Sequence, residues 1–254
     1  MTWNVQDGAQ QRLPAVAAVI RTQRPDLLAL QECLGWEDGP ALAQVAEAMG
    51  VPAAAAHAVV GGASPRPSGV SFPPALLSRR PLLEVEAIVD PARFRHGVLR
   101  AAVSAAPGEP PLRVLVAHLP WHDEDARLAE VEALLALLPA GWAGEPWLLL
   151  GDLNSLSPHD PWPASLGADL AAHGVAKFGL PPRFDVLRRL LEAGWVDCVD
   201  AARGQDWHTV ERRGVRLRPD HALASPALAA RVREARSLCA AGASDHRPLL
   251  LRVT

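Results

Sequence analysis

The stretch Trp147-Leu148-Leu149-Leu150-Gly151-Asp152-Leu153-Asn154 places two polar residues directly after an apolar run. The run predicts a buried strand, and Gly151 with the residues after it predicts a turn. Residues two positions apart on an extended chain point the same way, so Asp152 and Asn154 are expected to face one spot. A carboxylate beside an amide suits holding a water molecule or a metal ion against a phosphate. A plain turn is the alternative, because glycine, aspartate and asparagine all form turns.

The same pattern recurs at other places along the chain. Three further apolar runs end in polar residues: 1–3 before Asn4, 27–30 before Gln31-Glu32, and 112–117 before His118. Later the order is inverted, since Asp220-His221 precedes 222–224 and Ser244-Asp245-His246 precedes 249–251. All six groups meet at one edge only if the last two strands run antiparallel to the others. The sequence therefore predicts mixed sheets rather than an all-parallel doubly wound fold.

Length and charge narrow the classes of function. The 254 residues allow one large α/β domain or two small ones, with a sizeable core. A net charge of −3 gives no overall attraction to polyanions, so a nucleic-acid substrate would need a local basic patch. Lys177 is the only lysine. Cys33, Cys198 and Cys239 lack metal-ligand spacing and are expected to be reduced core residues.

Targeting and membrane signals are missing from the sequence as written. It shows no charged and then apolar leader, and no apolar run approaches the roughly 20 residues that span a bilayer. We therefore expect a cytoplasmic protein without membrane association, and we expect it to be a monomer.

Hydrophobic periodicity predicts four helices. They cover 13–20, 41–49, a segment capped by Asp123 and ended by Pro139, and 184–193; the third has an apolar stripe of Leu128, Val131, Leu135 and Leu138. Strands are predicted at 27–31, 75–77, 82–89, 98–105, 113–117, 206–210, 222–224, 232–238 and 249–253. The second to fifth of these strands are expected to form an antiparallel meander. Residues 61–67 are predicted to be a loop, and 155–182 a surface loop over the site.

The ordered set of motifs resembles the endonuclease/exonuclease/phosphatase superfamily. The matching motifs are Thr2-Trp3-Asn4, Leu30-Gln31-Glu32, Ala117-His118-Leu119, Gly151-Asp152-Leu153-Asn154, Arg218-Pro219-Asp220-His221 and Ser244-Asp245-His246, with a weaker match at Ala75-Leu76-Leu77-Ser78-Arg79. Each motif alone is weakly specific, but six occur in the family's order over almost the whole chain. The resemblance implies one domain over residues 1–254. It also implies a four-layer α/β sandwich, in which two mixed β-sheets pack face to face and helices cover the outer faces.

The resemblance further implies hydrolysis of a phosphoester that depends on Mg²⁺ or Mn²⁺. The implied metal ligands are Glu32, as the principal one, with Asn4 and Asp245 close to the ion. Asp152 would orient or deprotonate the attacking water, and Asn154 would bind a phosphate oxygen. The resemblance implies that His246, held by Asp220, stabilises the transition state. It implies that His118 contacts the phosphate or the leaving oxygen.

Elementary chemistry supports such a centre independently. Phosphodiesters repel hydroxide, and an enzyme must lower the barrier to their hydrolysis by on the order of 20 kcal/mol. A hard cation held by oxygen ligands neutralises phosphoryl charge and lowers the pKa of bound water. Converging acids repel one another without a cation, and an oxygen-rich set favours Mg²⁺ or Mn²⁺ over Zn²⁺. A carboxylate such as Asp220 raises the pKa of a neighbouring histidine and keeps it charged.

Some positions depart from the family's pattern or carry less information. Pro219 removes a backbone donor, so the strand after it is expected to be an edge strand or to begin there. His221 replaces the usual aromatic residue, which weakens assignment to a named subfamily. The other single histidines are expected to be solvated or core residues; they are His57, His96, His122, His159, His173 and His208.

The leading hypothesis for the substrate is nucleic acid, which makes the protein a phosphodiesterase of the nuclease type. Five arginines could form a phosphate-binding rim or an ordinary solvated surface: Arg79, Arg80, Arg93, Arg95 and Arg100. Three tryptophans could stack on bases, although packing is favoured: Trp121, Trp162 and Trp207. One alternative is a phosphatase acting on a small phosphomonoester, such as an inositol or sugar phosphate. The other is an inactive member that serves as a binding module.

Overall fold

Two six-stranded mixed sheets form the centre of the fold in the computed structural model, which describes residues 1–37, 39–54, 56–62, 72–199 and 206–254. The first sheet has the strand order β13-β14-β1-β2-β4-β3, and the second has the order β5-β6-β7-β8-β12-β9. A separate antiparallel pair is formed by β10 and β11. The strands are β1 Thr2–Asn4, β2 Leu27–Gln31, β3 Ala58–Val60, β4 Ala75–Ser78, β5 Leu82–Ile88, β6 Val98–Val103, β7 Leu112–His118, β8 Trp147–Asp152, β9 Val196–Asp197, β10 Val210–Arg212, β11 Val215–Leu217, β12 Asp220–Ala224, β13 Val232–Ser237 and β14 Leu249–Val253.

Helices cover the outer faces of the sheets. The helices are α1 Leu13–Gln23, α2 Pro40–Met49, α3 Glu124–Leu135, α4 Leu166–Ala172, α5 Asp185–Glu192 and α6 Pro226–Ala229. Side chains of α1 and α2 pack on the first sheet in one apolar cluster, and those of α3 and α5 pack on the second sheet in another. The four-layer α/β sandwich is therefore confirmed. No helix in the described part of the chain is both long and apolar enough to cross a bilayer.

The strand β8 shows how alternation divides the core. Trp147 and Leu149 join the cluster under α3 and α5, whereas Leu148 and Leu150 join the cluster between the two sheets. Side chains on a strand alternate between its faces, so Asp152 continues the row that faces the other sheet. The first polar residue after the run therefore lies at the end of the space between the sheets.

Strand directions agree with the mixed-sheet prediction. β1 is parallel to β2, and β7 is parallel to β8. β12 runs antiparallel to β8, and β14 runs antiparallel to β1. The polar residues after the parallel strands and before the antiparallel ones therefore share one edge of the molecule. β12 begins at Asp220, directly after Pro219, as expected for a residue that cannot donate to a sheet.

Several predicted elements differ from the structure. Residues 75–77 belong to β4 of the first sheet, so the meander comprises only β5, β6 and β7. The strand predicted at 206–210 begins only at Val210. The segment predicted as a surface loop contains α4, which packs its own small apolar cluster against Phe178 and Leu217. Most of the loop predicted at 61–67 lies outside the described residues.

The third helix also differs from its prediction. It ends at Leu135, and its buried residues are Glu124, Arg127, Glu130, Val131 and Leu134. Of the expected apolar stripe, Val131 is buried, whereas Leu128, Leu135 and Leu138 are only partly buried against the same cluster. Asp123 does cap it, since its side chain accepts a hydrogen bond from the Asp125 N–H. Glu124 and Arg127 can be buried on this face because their charges neutralise each other.

Candidate active site

Three polar side chains lie on adjacent strands of the second sheet. His118 is the register partner of Asp152 in the parallel pair, and Asp220 is its partner in the antiparallel pair. Partners in register point to the same face of a sheet, here the face toward the first sheet. Asp152, Asp220 and His118 are all buried. The site thus begins as a row of acid and imidazole groups across three strands.

The glycine of the defining stretch allows this row to form. A Cβ at Gly151 would lie 1.8 Å from the carbonyl oxygen of Ala117 on β7, so no side chain fits there. After it, Asn154 adopts a left-handed backbone with φ of 49°, and its N–H donates to Asp152 Oδ1 at 2.9 Å. This local hydrogen bond ends the strand and fixes the position of the carboxylate.

The first sheet contributes Asn4 and Glu32 to the same place. Asn4 Nδ2 donates to Glu32 Oε1 at 2.9 Å and to Asp152 Oδ2 at 3.1 Å, and so joins the two sheets. Its amide oxygen accepts from the Gln6 N–H. Glu32 Oε2 accepts from the Asp7 N–H at 2.9 Å. Glu32 is in a left-handed conformation with φ of 60°, a strained state that is common at functional sites.

A chain of hydrogen bonds holds His246. Its Nδ1 lies 2.8 Å from Asp220 Oδ2, and the Thr209 hydroxyl donates to the same oxygen. The His246 backbone is fixed as well, because its N–H donates to Ser244 Oγ and its carbonyl accepts from Trp3 Nε1. The other ring nitrogen, Nε2, lies 3.9 Å from Asp152 Oδ2. The structure therefore brings His246, near the C-terminal end of the sequence, next to Asp152 at the end of β8.

The charges of this group are set by burial and by one another. Burial lowers the pKa of His246, but the charge and hydrogen bond of Asp220 outweigh burial and raise it to about 9. Burial raises the pKa of Asp152, but His246, His118 and Lys177 outweigh that effect and bring it below its usual value. At neutral pH an ionised Asp152 therefore faces a protonated His246.

The ligand atoms of Asp152, Asp220 and His246 lie within 4.8 Å of one another, close enough to consider a metal ion. The hydrogen bond at His246 Nδ1 and the raised pKa of the ring argue against ligation, because a metal binds the neutral imidazole. We therefore interpret these three residues as the group that stabilises charge and transfers protons, and not as the metal ligands.

The residues around Glu32 fit a hard divalent cation better. The Glu32 side chain is 19% exposed, more than His118, Asp152 or His246. Burial raises the pKa of Asp7, and the nearby charges of Glu32 and Asp245 raise it further, although Arg12 opposes them. This mutual repulsion among oxygen ligands is what a bound cation relieves. Asp245 is exposed, and its charge also acts on His246.

Asn154 makes two side-chain hydrogen bonds. Its Nδ2 donates to the Leu119 carbonyl at 3.0 Å, and its Oδ1 accepts from Lys177 Nζ at 2.7 Å. Lys177 was singled out in the sequence only as the one lysine, and nothing in its surroundings along the chain predicts this contact. Asp7 and Thr209 are likewise additions from the structure, since neither belongs to a motif recognised in the sequence.

His96 is another residue that sequence reasoning treated as ordinary. Its ring stacks on that of His118, with 4.2 Å between ring centres and 10° between the planes. His96 comes from the segment between β5 and β6 and is buried. The stack limits the orientations open to His118, whose Nε2 lies 3.7 Å from Asp152 Oδ2 and 3.9 Å from Glu32 Oε1.

Some residues considered for substrate binding lie elsewhere. Arg79 and Arg80 follow β4 at the end of the sheet opposite the site, where Arg79 donates to the carbonyls of Pro25 and Met49. Arg100 pairs with Glu86 on the outer side of the second sheet. These three arginines therefore lie away from the site and cannot belong to a phosphate-binding rim. Cys239 is exposed, so the expectation of core cysteines holds only for Cys33 and Cys198.

The three tryptophans divide into two groups. Trp162 and Trp207 pack against each other with 5.0 Å between ring centres, and Trp162 donates to the Ser157 carbonyl. Their role is packing, as favoured from the sequence. Trp121 is 58% exposed and follows His118 by three residues. An aromatic face is therefore open to solvent on the segment that follows His118.

Comparison with known proteins places this arrangement in context. The model of the Endonuclease/Exonuclease/phosphatase family matches residues 1–246. A search of curated proteins found no match. An AP endonuclease from Archaeoglobus fulgidus has a similar structure, with a TM-score of 0.71, 19% identity, and coverage of 99% of this chain and 97% of that one.

Two further solved structures have the same fold. An endonuclease/exonuclease/phosphatase from Beutenbergia cavernae DSM 12333 gives a TM-score of 0.68 at 20% identity, covering 98% of this chain and 69% of that one. TDP2 from D. rerio, complexed with single strand DNA product, gives a TM-score of 0.63 at 17% identity, covering 98% and 96%. At these identities the likeness establishes the shared fold.

Proposed function

The chain belongs to the Endonuclease/Exonuclease/phosphatase family, and from this premise we propose that it is a divalent-metal-dependent phosphodiesterase acting on nucleic acid. One observation carries the proposal: Asn4, Glu32, Asp152 and His246 come together from distant parts of the chain. Asn4 donates hydrogen bonds to both Glu32 and Asp152, and His246 Nε2 lies 3.9 Å from Asp152 Oδ2. Such a convergence of charged, desolvated groups costs stability, and it is typical of functional sites.

The residues divide the work of hydrolysis among them. Ionised Asp152 accepts a hydrogen bond from the attacking water and takes its proton as the bond from water to phosphorus forms and the bond from phosphorus to the leaving oxygen breaks. Protonated His246, oriented by Asp220, stabilises the negative charge that develops on the phosphoryl oxygens. His118 lies beside both Asp152 and Glu32, where its Nε2 can donate to the phosphate or to the leaving oxygen.

The metal is proposed to be Mg²⁺ or Mn²⁺, held by Glu32 with Asn4 and Asp245. Such an ion, when bound, neutralises phosphate charge and acidifies coordinated water. Asn4 is also proposed to orient Glu32 and Asp152, because its Nδ2 donates a hydrogen bond to each of them. Asn154, fixed by its contact with Leu119, contributes a polar group to the phosphate subsite.

The nucleic-acid substrate rests on two supports. The exposed face of Trp121 near His118 can stack on a base, a contact worth about 1–3 kcal/mol per base. Two of the structures with the same fold are an AP endonuclease and a TDP2 complexed with single strand DNA product. Neither support comes from overall charge, which is −3.

The test is a panel of phosphoesters assayed with Mg²⁺ or Mn²⁺. The panel contains plasmid and single-stranded DNA, RNA, bis-p-nitrophenyl phosphate and p-nitrophenyl phosphate. We expect cleavage of nucleic acid and of the diester, and we expect Asp152→Asn to lower kcat by about 100- to 10,000-fold. Wild-type turnover by Asp152→Asn would refute the role of Asp152 in activating water.

The panel also separates the two other functions. Turnover of p-nitrophenyl phosphate alone, insensitive to salt, would identify a phosphatase for small monoesters, because binding to a long polyanion weakens steeply with salt. Absence of turnover on every substrate, together with absence of Mg²⁺ binding by calorimetry, would identify a binding module.

A further inference from the structure

Lys177 carries the only side-chain ammonium group of the protein, and it lies beside the proposed phosphate subsite. Its Nζ donates to Asn154 Oδ1 at 2.7 Å. The lysine comes from the segment between α4 and α5, far along the chain from any motif of the site. The contact therefore joins that segment to the carboxyl end of β8.

The ammonium group lacks a matched anion. In the part of the chain that the structure describes, its hydrogen-bond acceptor is a neutral amide oxygen, and no carboxylate forms an ion pair with it. An ammonium group has three N–H donors, so two remain. Burial lowers the pKa of Lys177, and attraction to Asp152 only partly opposes this effect. A partly buried cation in these surroundings is stabilised by an anion.

The position of the lysine is fixed by buried neighbours. Arg127, which is fully buried, donates to the Lys177 carbonyl and also to the Pro120 carbonyl, two residues after His118. Lys177 Nζ lies 4.9 Å from the centre of the buried Phe178 ring. One buried arginine therefore positions both the lysine and the segment that follows His118.

We propose that Lys177 is a direct ligand of the substrate phosphate, with its two remaining N–H groups bound to phosphate oxygens beside Asn154. The inference rests on the proposed function and adds a residue to its phosphate subsite. Hydrogen bonds between an ammonium and a phosphate are charge-assisted and about twice as strong as neutral ones.

A spectroscopic test uses the fact that there is a single lysine. Protein labelled isotopically at lysine Cε gives one lysine signal by NMR, which needs no assignment. Titration with inorganic phosphate is expected to shift this signal saturably, whereas sodium chloride of equal ionic strength is not. Arg188→Met, which removes an exposed charge on α5, is expected to retain the shift. An unchanged lysine signal throughout the phosphate titration would overturn the inference.

Kinetics gives a second test on the same proteins. Lys177→Met keeps the length of the side chain and removes its charge, and we expect kcat/KM to fall by about 10- to 100-fold through a higher KM. Lys177→Arg is expected to recover part of this loss, and Arg188→Met to match the wild type. If Lys177→Met retains the wild-type kcat/KM, the inference about Lys177 is wrong, whereas the proposed function still stands.

These experiments distinguish a failure of the proposed function from a failure of the inference about Lys177. If the wild type hydrolyses no phosphoester, the proposed function fails, and the phosphate titration still decides whether Lys177 binds a phosphate. If the wild type is active and the lysine signal does not respond to phosphate, the proposed function stands and Lys177 has only a structural role.

Discussion

At the residue scale, Gly151 is the position where the backbone leaves no room for a side chain. The Cβ of an alanine there would lie 1.8 Å from the Ala117 carbonyl oxygen, so β7 and β8 would have to separate. We predict that Gly151→Ala lowers the free energy of unfolding by about 3 kcal/mol or more. Denaturant unfolding measures this loss.

Gly144 provides the matched control for Gly151. A Cβ at Gly144 would meet nothing within 4 Å, and its backbone needs no left-handed conformation. Gly144→Ala is expected to change the free energy of unfolding by less than about 1 kcal/mol. Equal stability of the two variants would show that the packing of β7 against β8 does not require glycine.

His246 gives a prediction for pH dependence at the same scale. Its pKa of about 9 means that the charged ring persists through neutral pH and is lost as the pH rises through that value. Asp152 has a lowered pKa, so it stays ionised over the same range. We therefore predict a kcat that is level near neutral pH and falls above about pH 9.

The variant His246→Gln tests the origin of the alkaline fall. It is expected to lower kcat by about 100- to 1,000-fold and to abolish the fall above pH 9. A pH profile of kcat at saturating substrate makes the comparison. The same alkaline fall in the variant would assign that ionisation to another group.

At the scale of elements, a buried ion pair within α3 connects this helix to the segments around the site through further hydrogen bonds. Arg127 donates twice to Glu124 Oε2, at 3.0 and 2.8 Å, and also to the carbonyls of Pro120 and Lys177. Glu124 Oε1 accepts in turn from Ser155 Oγ, directly after Asn154. The helix therefore supports the segments on both sides of the phosphate subsite.

We predict that Arg127→Met lowers the free energy of unfolding by about 3–5 kcal/mol, because it leaves Glu124 charged and buried without its partner. Arg189→Met is the control, because Arg189 on α5 pairs with Glu132 of α3 at the surface. Loss of this surface pair should lower the free energy of unfolding by no more than about 1 kcal/mol. Thermal or denaturant unfolding distinguishes the two. Similar losses for both variants would contradict the supporting role of Arg127.

Elements differ in how well their sequence reveals them. β8 is recognisable because four apolar residues precede a glycine and an aspartate, and the alternation of its side chains is local. α3 is predicted only in part: its Asp123 cap and buried Val131 agree with the sequence, but its buried face also contains Glu124, Arg127 and Glu130, which periodicity assigns to solvent. Burial of these charges depends on partners from distant segments, and no pattern within the helix encodes those partners.

At the scale of the whole molecule, the fold and part of the site follow from the order of polar residues around the strands. Asp220 and Asp245 precede their apolar runs, whereas the other polar residues follow theirs. This difference predicted that β12 and β14 are antiparallel to β8 and β1, and the structure confirms it. Contacts made by side chains from loops, such as Lys177 with Asn154 or His96 with His118, could not be predicted. They arise from the path of the chain between strands, on which hydrophobic patterning carries no information.

We propose that one cation, held at Glu32, and one charged pair, Asp152 with His246, form a single hydrolytic centre. The most direct measurement is the hydrolysis rate of bis-p-nitrophenyl phosphate as a function of Mg²⁺ concentration for the wild type and Glu32→Gln. We predict that a chelator abolishes wild-type turnover, that Mg²⁺ restores it, and that the variant needs at least about 10-fold more Mg²⁺. Turnover that survives the chelator, or an unchanged Mg²⁺ requirement in Glu32→Gln, would contradict the account.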